Sequence, residues 1–120
     1  MPALYGVGNA QYFQTTTNGT NTINPGQAAG PAPATSTGVF YGATLFALGT
    51  APTISVFDVV PPTGMGTNTT TQTNTLMNGT GTAAGQNFIA GIPGVGVRYR
   101  GQLVIVTGGT AAGGWNALWD

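Results

Sequence analysis

The chain has 120 residues, room for one domain, and Gly and Thr each supply 21 of them. Only Asp58, Arg98, Arg100 and Asp120 are charged, the net charge is zero, and Lys, Glu, His and Cys are absent. An ordinary domain carries roughly a quarter of its residues as charges, so this surface has to be made of Thr, Asn and Gln.

These absences exclude a good deal of chemistry. Without His the chain lacks the usual general base near neutral pH and the commonest metal ligand. Without Cys a tetrahedral zinc site loses its normal ligands. Asp58 and Asp120 stand 62 positions apart, a poor start for a mechanism that needs two carboxylates at a defined separation. The expectation is a protein that is not an enzyme and holds no cofactor and no metal. Nucleic acid is not an expected partner either, because phosphate has to be neutralised by Lys and Arg and Arg98-Tyr99-Arg100 is the whole basic inventory. No apolar stretch reaches bilayer length, and Met1–Tyr5 lacks a charged n-region and an apolar h-region. A chain made in the cytoplasm, with no membrane partner, is the expected setting. The Asn-x-Thr triplets at Asn18, Asn68 and Asn78 are what an Asn/Thr-rich sequence produces by chance.

Taken in order, Leu4–Val7 and Ala10–Gln14 read as short strands. Thr15–Thr37 is small and polar with Pro25, Pro31 and Pro33. A loop of that length inside a compact domain is uncommon, and it reads as an extended arm or lid. From Gly38 to Leu48 both faces are apolar: Val39, Tyr41, Ala43, Leu45 and Ala47 on one, Phe40, Phe46 and Leu48 on the other. Such a strand is either covered on both sides or faces a partner. Gly49-Thr50-Ala51-Pro52 is a turn, Thr53–Val60 is a returning strand rich in β-branched residues, and Pro61-Pro62 stops it. Together they predict a hairpin.

Thr67–Met77 is a polar run that suits an edge strand, and Gln86–Ala90 is a short strand. Val95–Val106 reads as one long strand, with Val95, Val97, Tyr99, Leu103 and Ile105 alternating against Gly96, Arg98, Arg100 and Gln102. Trp115, Ala117 and Trp119 share one side of a last strand. No segment has helical periodicity. Gly-Thr pairs recur every 30 residues from Gly19 to Gly109, but the apolar patterns around them do not match, so they define no repeat. The predicted class is all-β: a β-sandwich or jelly-roll-like single domain, with an open barrel as the alternative. Residues 1–37 supply N-terminal strands and the arm, and residues 38–120 the sandwich.

Large apolar side chains are few beside so many glycines, and zero net charge favours association. Both point to a subunit of an assembly. The stretch Val39–Asp58, with Tyr41-Gly42 leading to Leu45, Gly49-Thr50-Ala51 and a second strand ending in Asp58, resembles small virion proteins of tailed bacteriophages. Ala84–Ile89 and Gly96–Tyr99 leading into Leu103–Val106 look like the continuation, so the resemblance covers about Val39 to Asp120. It departs from a charged decoration protein in lacking Lys and in its Thr-rich tracts.

The resemblance implies a capsid decoration (cement) protein. Its partners would be the major capsid protein and copies of itself, often as a homotrimer on the capsid exterior of the virion. The interface residues expected on that reading are Arg98, Tyr99, Arg100, Trp115, Trp119, Phe40 and Phe46. The two arginines would meet acidic groups of a neighbour, or Asp58 and the terminal carboxylate. The aromatic side chains would supply subunit contacts, a core role being the alternative for both tryptophans. A second reading is a glycan-binding module of a tail or fibre, with Tyr41, Tyr99 and Trp115 as candidates; a third is a tail-tube or neck subunit.

Overall fold

The computed structural model describes residues 11–23, 38–60 and 70–120. Within them lie nine strands and no helix. They are β1 (Gln11–Thr15), β2 (Gly19–Ile23), β3 (Gly38–Ala47), β4 (Thr53–Val60), β5 (Gln72–Thr80), β6 (Gln86–Ile89), β7 (Val97–Tyr99), β8 (Gln102–Gly108) and β9 (Gly114–Trp119). Two antiparallel sheets form, one in the order β1-β9-β3-β6 with β7 also on β3, the other in the order β2-β8-β4-β5. They make a β-sandwich, as the composition and turn spacing predicted. We call them the first and second sheet.

Period-2 alternation decides which side chains enter the layer between them. On β4, Ile54, Val56, Asp58 and Val60 are buried while Thr53, Ser55, Phe57 and Val59 are half-buried. On β8, Leu103, Ile105 and Thr107 are buried against half-buried Gln102, Val104 and Val106. From the first sheet come Phe40, Ala43 and Leu45 of β3, Tyr99 of β7, and Trp115 and Ala117 of β9. Phe88 packs on Trp115 with ring centroids 5.4 Å apart and tilted by 55°, a favourable edge-on geometry.

Three expectations change. First, β3 and β4 do not form a hairpin. β3 pairs with β9 on one side and with β6 and β7 on the other, while β4 pairs with β5 and β8. Gly49–Pro52 instead carries the chain from one sheet to the other. Thr50 exchanges backbone hydrogen bonds with Ala111 (3.2 and 3.1 Å) and Pro52 is buried. Local turn chemistry is the same for a hairpin and for a crossing; which strands pair is a tertiary outcome.

Second, the stretch Val95–Val106 is two strands in different sheets. It breaks at Arg100-Gly101, where the Asp58 carboxylate accepts the Arg100 N–H (3.0 Å) and the Gly101 N–H (2.8 Å). The inward residues stay in phase across the break, so periodicity alone could not reveal it. Third, β2 lies inside the stretch expected to be an arm. It is an edge of the second sheet and β1 an edge of the first. The sandwich therefore begins before Gly38. Leu4–Val7, the proline-bearing part of the arm and Thr67–Thr69 lie outside the described residues.

Candidate functional site

The outward face of the first sheet is set by a β-bulge in β3. Phe40 lies opposite Trp119 and Gly42 opposite Leu118, so Tyr41 is the extra residue. The bulge puts Tyr41 and Gly42 on the outside in succession and returns Ala43 and Leu45 to the core. Bulges re-aim side chains in this way and gather beside functional sites. Gly42 has φ +144°, and a Cβ on it would collide with the Phe88 carbonyl oxygen. No other residue fits there.

Across this face the registers stack two rows. One is Gln14 (β1), Asn116 (β9), Thr44 (β3) and Asn87 (β6), polar at every step. The other is Tyr12, Leu118, Gly42 and Ile89, apolar with a glycine as its floor. Tyr12, Tyr41 and Ile89 border an open groove of ≈ 400 Å³ that Gly42 also lines. Thr44 Oγ1 donates to Asn87 Oδ1 at 2.6 Å. That bond occupies the amide oxygen and leaves the NH₂ group as the donor of this side chain. Tyr12 is 75% exposed and Ile89 56%.

Beside the groove the chain leaves β6 and returns as β7 through a tight loop. Ile92-Pro93-Gly94-Val95 closes with Val95 N–H donating to Ile92 C=O at 3.0 Å, and Gly94 has φ +79°. Proline followed by a glycine of positive φ is the type II pattern. The loop displays Ile92 and Val95 to solvent, and Gly96 lies against Val39 and the Tyr41 ring.

Electrostatics at the site are simple. No charged residue lines the groove. Burial, and then the Asp120 carboxylate, raise the Tyr41 phenol above its ordinary value, so Tyr41 is a neutral hydroxyl at physiological pH. No cluster of acidic, His or Cys side chains that could hold a metal occurs among the described residues, nor does any helix long and apolar enough to cross a membrane.

The residues singled out from the sequence are scattered. Phe40, Tyr99 and Trp115 are core residues with at most 2% exposure, and Trp119 is half-buried against the same core. They pack the interior of the sandwich. Tyr99 Oη donates to the main-chain oxygen of Asp120 at 3.1 Å, and the Trp115 and Trp119 indole N–H groups are buried without a hydrogen-bond partner. Phe46 is 37% exposed and lies two residues beyond Thr44 on β3, outside the groove lining. Arg98 and Arg100 are exposed on either side of buried Tyr99, as alternation predicted. Asp58 is engaged by backbone amides rather than presented to them as a free carboxylate.

Of the glycan-site candidates, only Tyr41 reaches the groove. Tyr12, Gln14, Thr44, Asn87 and Asn116 were missed. Tyr12-x-Gln14 and Asn116-x-Leu118 do alternate with core residues in the sequence, but only the registers show that they are neighbours. Comparison with family models, curated proteins and solved structures finds no match, so function has to be argued from this geometry.

Proposed function

We propose that the chain is a structural protein of a tailed-bacteriophage virion, a capsid decoration protein that binds and stabilises the lattice of the major capsid protein. The observation that carries this reading is the outer face of the second sheet. A sheet with one wet face alternates apolar-in and polar-out. Here Phe57 of β4 lies opposite Val104 of β8, with Val106 opposite Ser55 and Val59 opposite Gln102 on either side, all half-buried. The edge strands frame them with Thr20 and Thr22 on β2 and Thr73 and Thr75 on β5. An apolar centre with an uncharged polar rim is the make-up of a protein–protein contact. A surface with so few charges gives little colloidal repulsion and suits a subunit held among others.

On this reading the second sheet lies on the capsid, copies of the chain associate as a homotrimer, and exposed Arg98 meets acidic groups of a neighbour. Electron microscopy of the native particle tests it. Density for the sandwich at three-fold or quasi-three-fold positions, second sheet inward, is the expected result. Density confined to the tail, neck or a fibre overturns the capsid assignment. As a second check, Val104→Asn with Val106→Asn should abolish capsid binding while leaving the folded chain intact.

A further inference from the structure

The groove on the outer face of the first sheet has a chemistry of its own, opposite the face assigned to the capsid. We infer that it is a binding site for a neutral oligosaccharide, laid across the strands over Gly42, with Tyr12 and Tyr41 against its rings and the Gln14–Asn116–Thr44–Asn87 row against its hydroxyls. This does not depend on the capsid assignment.

Three observations carry it. A sugar ring has an apolar C–H face that fits on an aromatic ring, and hydroxyls around its rim that need both donors and acceptors. The face offers the first through Tyr12, 75% exposed, and half-buried Tyr41, both of which line the groove. It offers the second through three amides and a hydroxyl in one register row. Adjacent strands lie about 4.8 Å apart, so four strands spread these groups over about 14 Å, the length of a short oligosaccharide. The groove is concave, near 400 Å³, within the range of small-ligand sites.

The alternatives fit less well. An apolar peptide or a second copy would have to bury the polar row without satisfying it, a cost that interfaces avoid. A strand-like peptide would seek a sheet edge, not the middle of a face. An anionic ligand finds no cation in the groove lining and meets the Asp120 carboxylate beside Tyr41. The amides are also partly ordered in advance, since Asn87 is held by Thr44 at 2.6 Å, and preorganisation reduces the cost of binding.

The test is titration of the full chain with soluble neutral hexasaccharides: β-1,4-glucan, β-1,3-glucan, α-1,4-glucan and mannan series. Polygalacturonate serves as the anionic comparison. Binding is read by calorimetry and by shifts of the Asn87 and Asn116 side-chain amides in NMR spectra. At least one neutral series should bind and move both amides. Tyr12→Ala and Asn87→Ala, both at exposed positions, should each weaken binding by about tenfold or more, as loss of an anchor does, with the tryptophan near-ultraviolet signal unchanged. The inference is overturned if no neutral series binds at millimolar concentration, if only polygalacturonate binds, or if both variants bind like the parent. A particle map with protein seated on this face would overturn it as well, without touching the capsid assignment.

Discussion

Asp58 occupies a core-facing position of β4 that alternation gives to an apolar residue, between Val56 and Val60. It is 5% exposed, and its two oxygens take the N–H groups of Arg100 and Gly101, at 3.0 and 2.8 Å, where the chain passes from the first sheet to the second. Asp58→Ala leaves both donors without a partner, and Gly101 is buried. Each orphaned group costs about 1–3 kcal/mol, and the smaller side chain adds a cavity. We expect a loss of about 3–4 kcal/mol, which for a chain of this size lowers Tm by roughly 10 °C or more. Asp58→Asn keeps the volume and one acceptor but turns an NH₂ toward a donor, and should lose about half as much. Urea unfolding followed by the fluorescence of buried Trp115 measures both. If Asp58→Ala unfolds within about 0.5 kcal/mol of the parent, the carboxylate does not hold the crossing together and the reasoning fails.

Gly42→Ala must bring a Cβ against the Phe88 carbonyl at φ +144°. It should cost well over 1 kcal/mol in the same urea assay and pull β6 away from β3; a neutral outcome would mean that the bulge is soft. Deleting Tyr41 should be milder, within about 2 kcal/mol, because removing the extra residue puts Phe40 and Gly42 back into regular alternation. Near-parental near-ultraviolet circular dichroism would confirm it. In alkali, Tyr99 is raised by burial, then by the Asp120 and Asp58 carboxylates. Its stabilising effect is complete below the unfolded phenol value of about 10 and is lost as pH rises through the higher folded value. Tyr99→Phe should therefore flatten the alkaline limb of the stability–pH curve, while lowering neutral-pH stability through the lost hydrogen bond to Asp120.

Much of the layer structure was legible because it rests on local rules. Gly/Thr/Val-rich segments with turn residues between them make strands, and Tyr99, Leu103 and Ile105 could be placed on the inward face from the sequence. What stayed hidden was long-range. β3 looked like half of a hairpin because the turn after it is well formed, yet both its neighbouring positions are filled by strands more than 40 residues away in sequence. The passage from β7 to β8 was invisible because Tyr99 and Leu103 both face the core, with Gly101 in phase between them. Its sequence mark was Asp58, a charge at an inward position, which read instead as a partner for an arginine. The groove was half legible. Tyr41 could be named, whereas the polar row exists only once β1, β9, β3 and β6 lie side by side.

The bulge at Tyr41 joins the fold to the site. Without it, strict alternation after Phe40 would turn Tyr41 outward, Gly42 inward and Ala43 outward, and Leu45 would leave the core, since a one-residue slip exchanges the faces of a strand. With the extra residue absorbed, Leu45 remains fully buried beside Trp115, and two consecutive positions face outward. One supplies an aromatic ring, the other an absence of side chain. The same residue pair thus preserves the core and lines the groove, and Gly42 is required because a Cβ would block the close approach of β6. On the second sheet β4 and β8 reach the outer face by plain alternation, and the bulge there lies at Leu76 of the edge strand β5. That difference in construction is the physical reason to assign the two faces different occupants. A largely apolar face suits a broad protein contact, whereas an uncharged groove bordered by tyrosines and a row of polar side chains suits a small polar ligand.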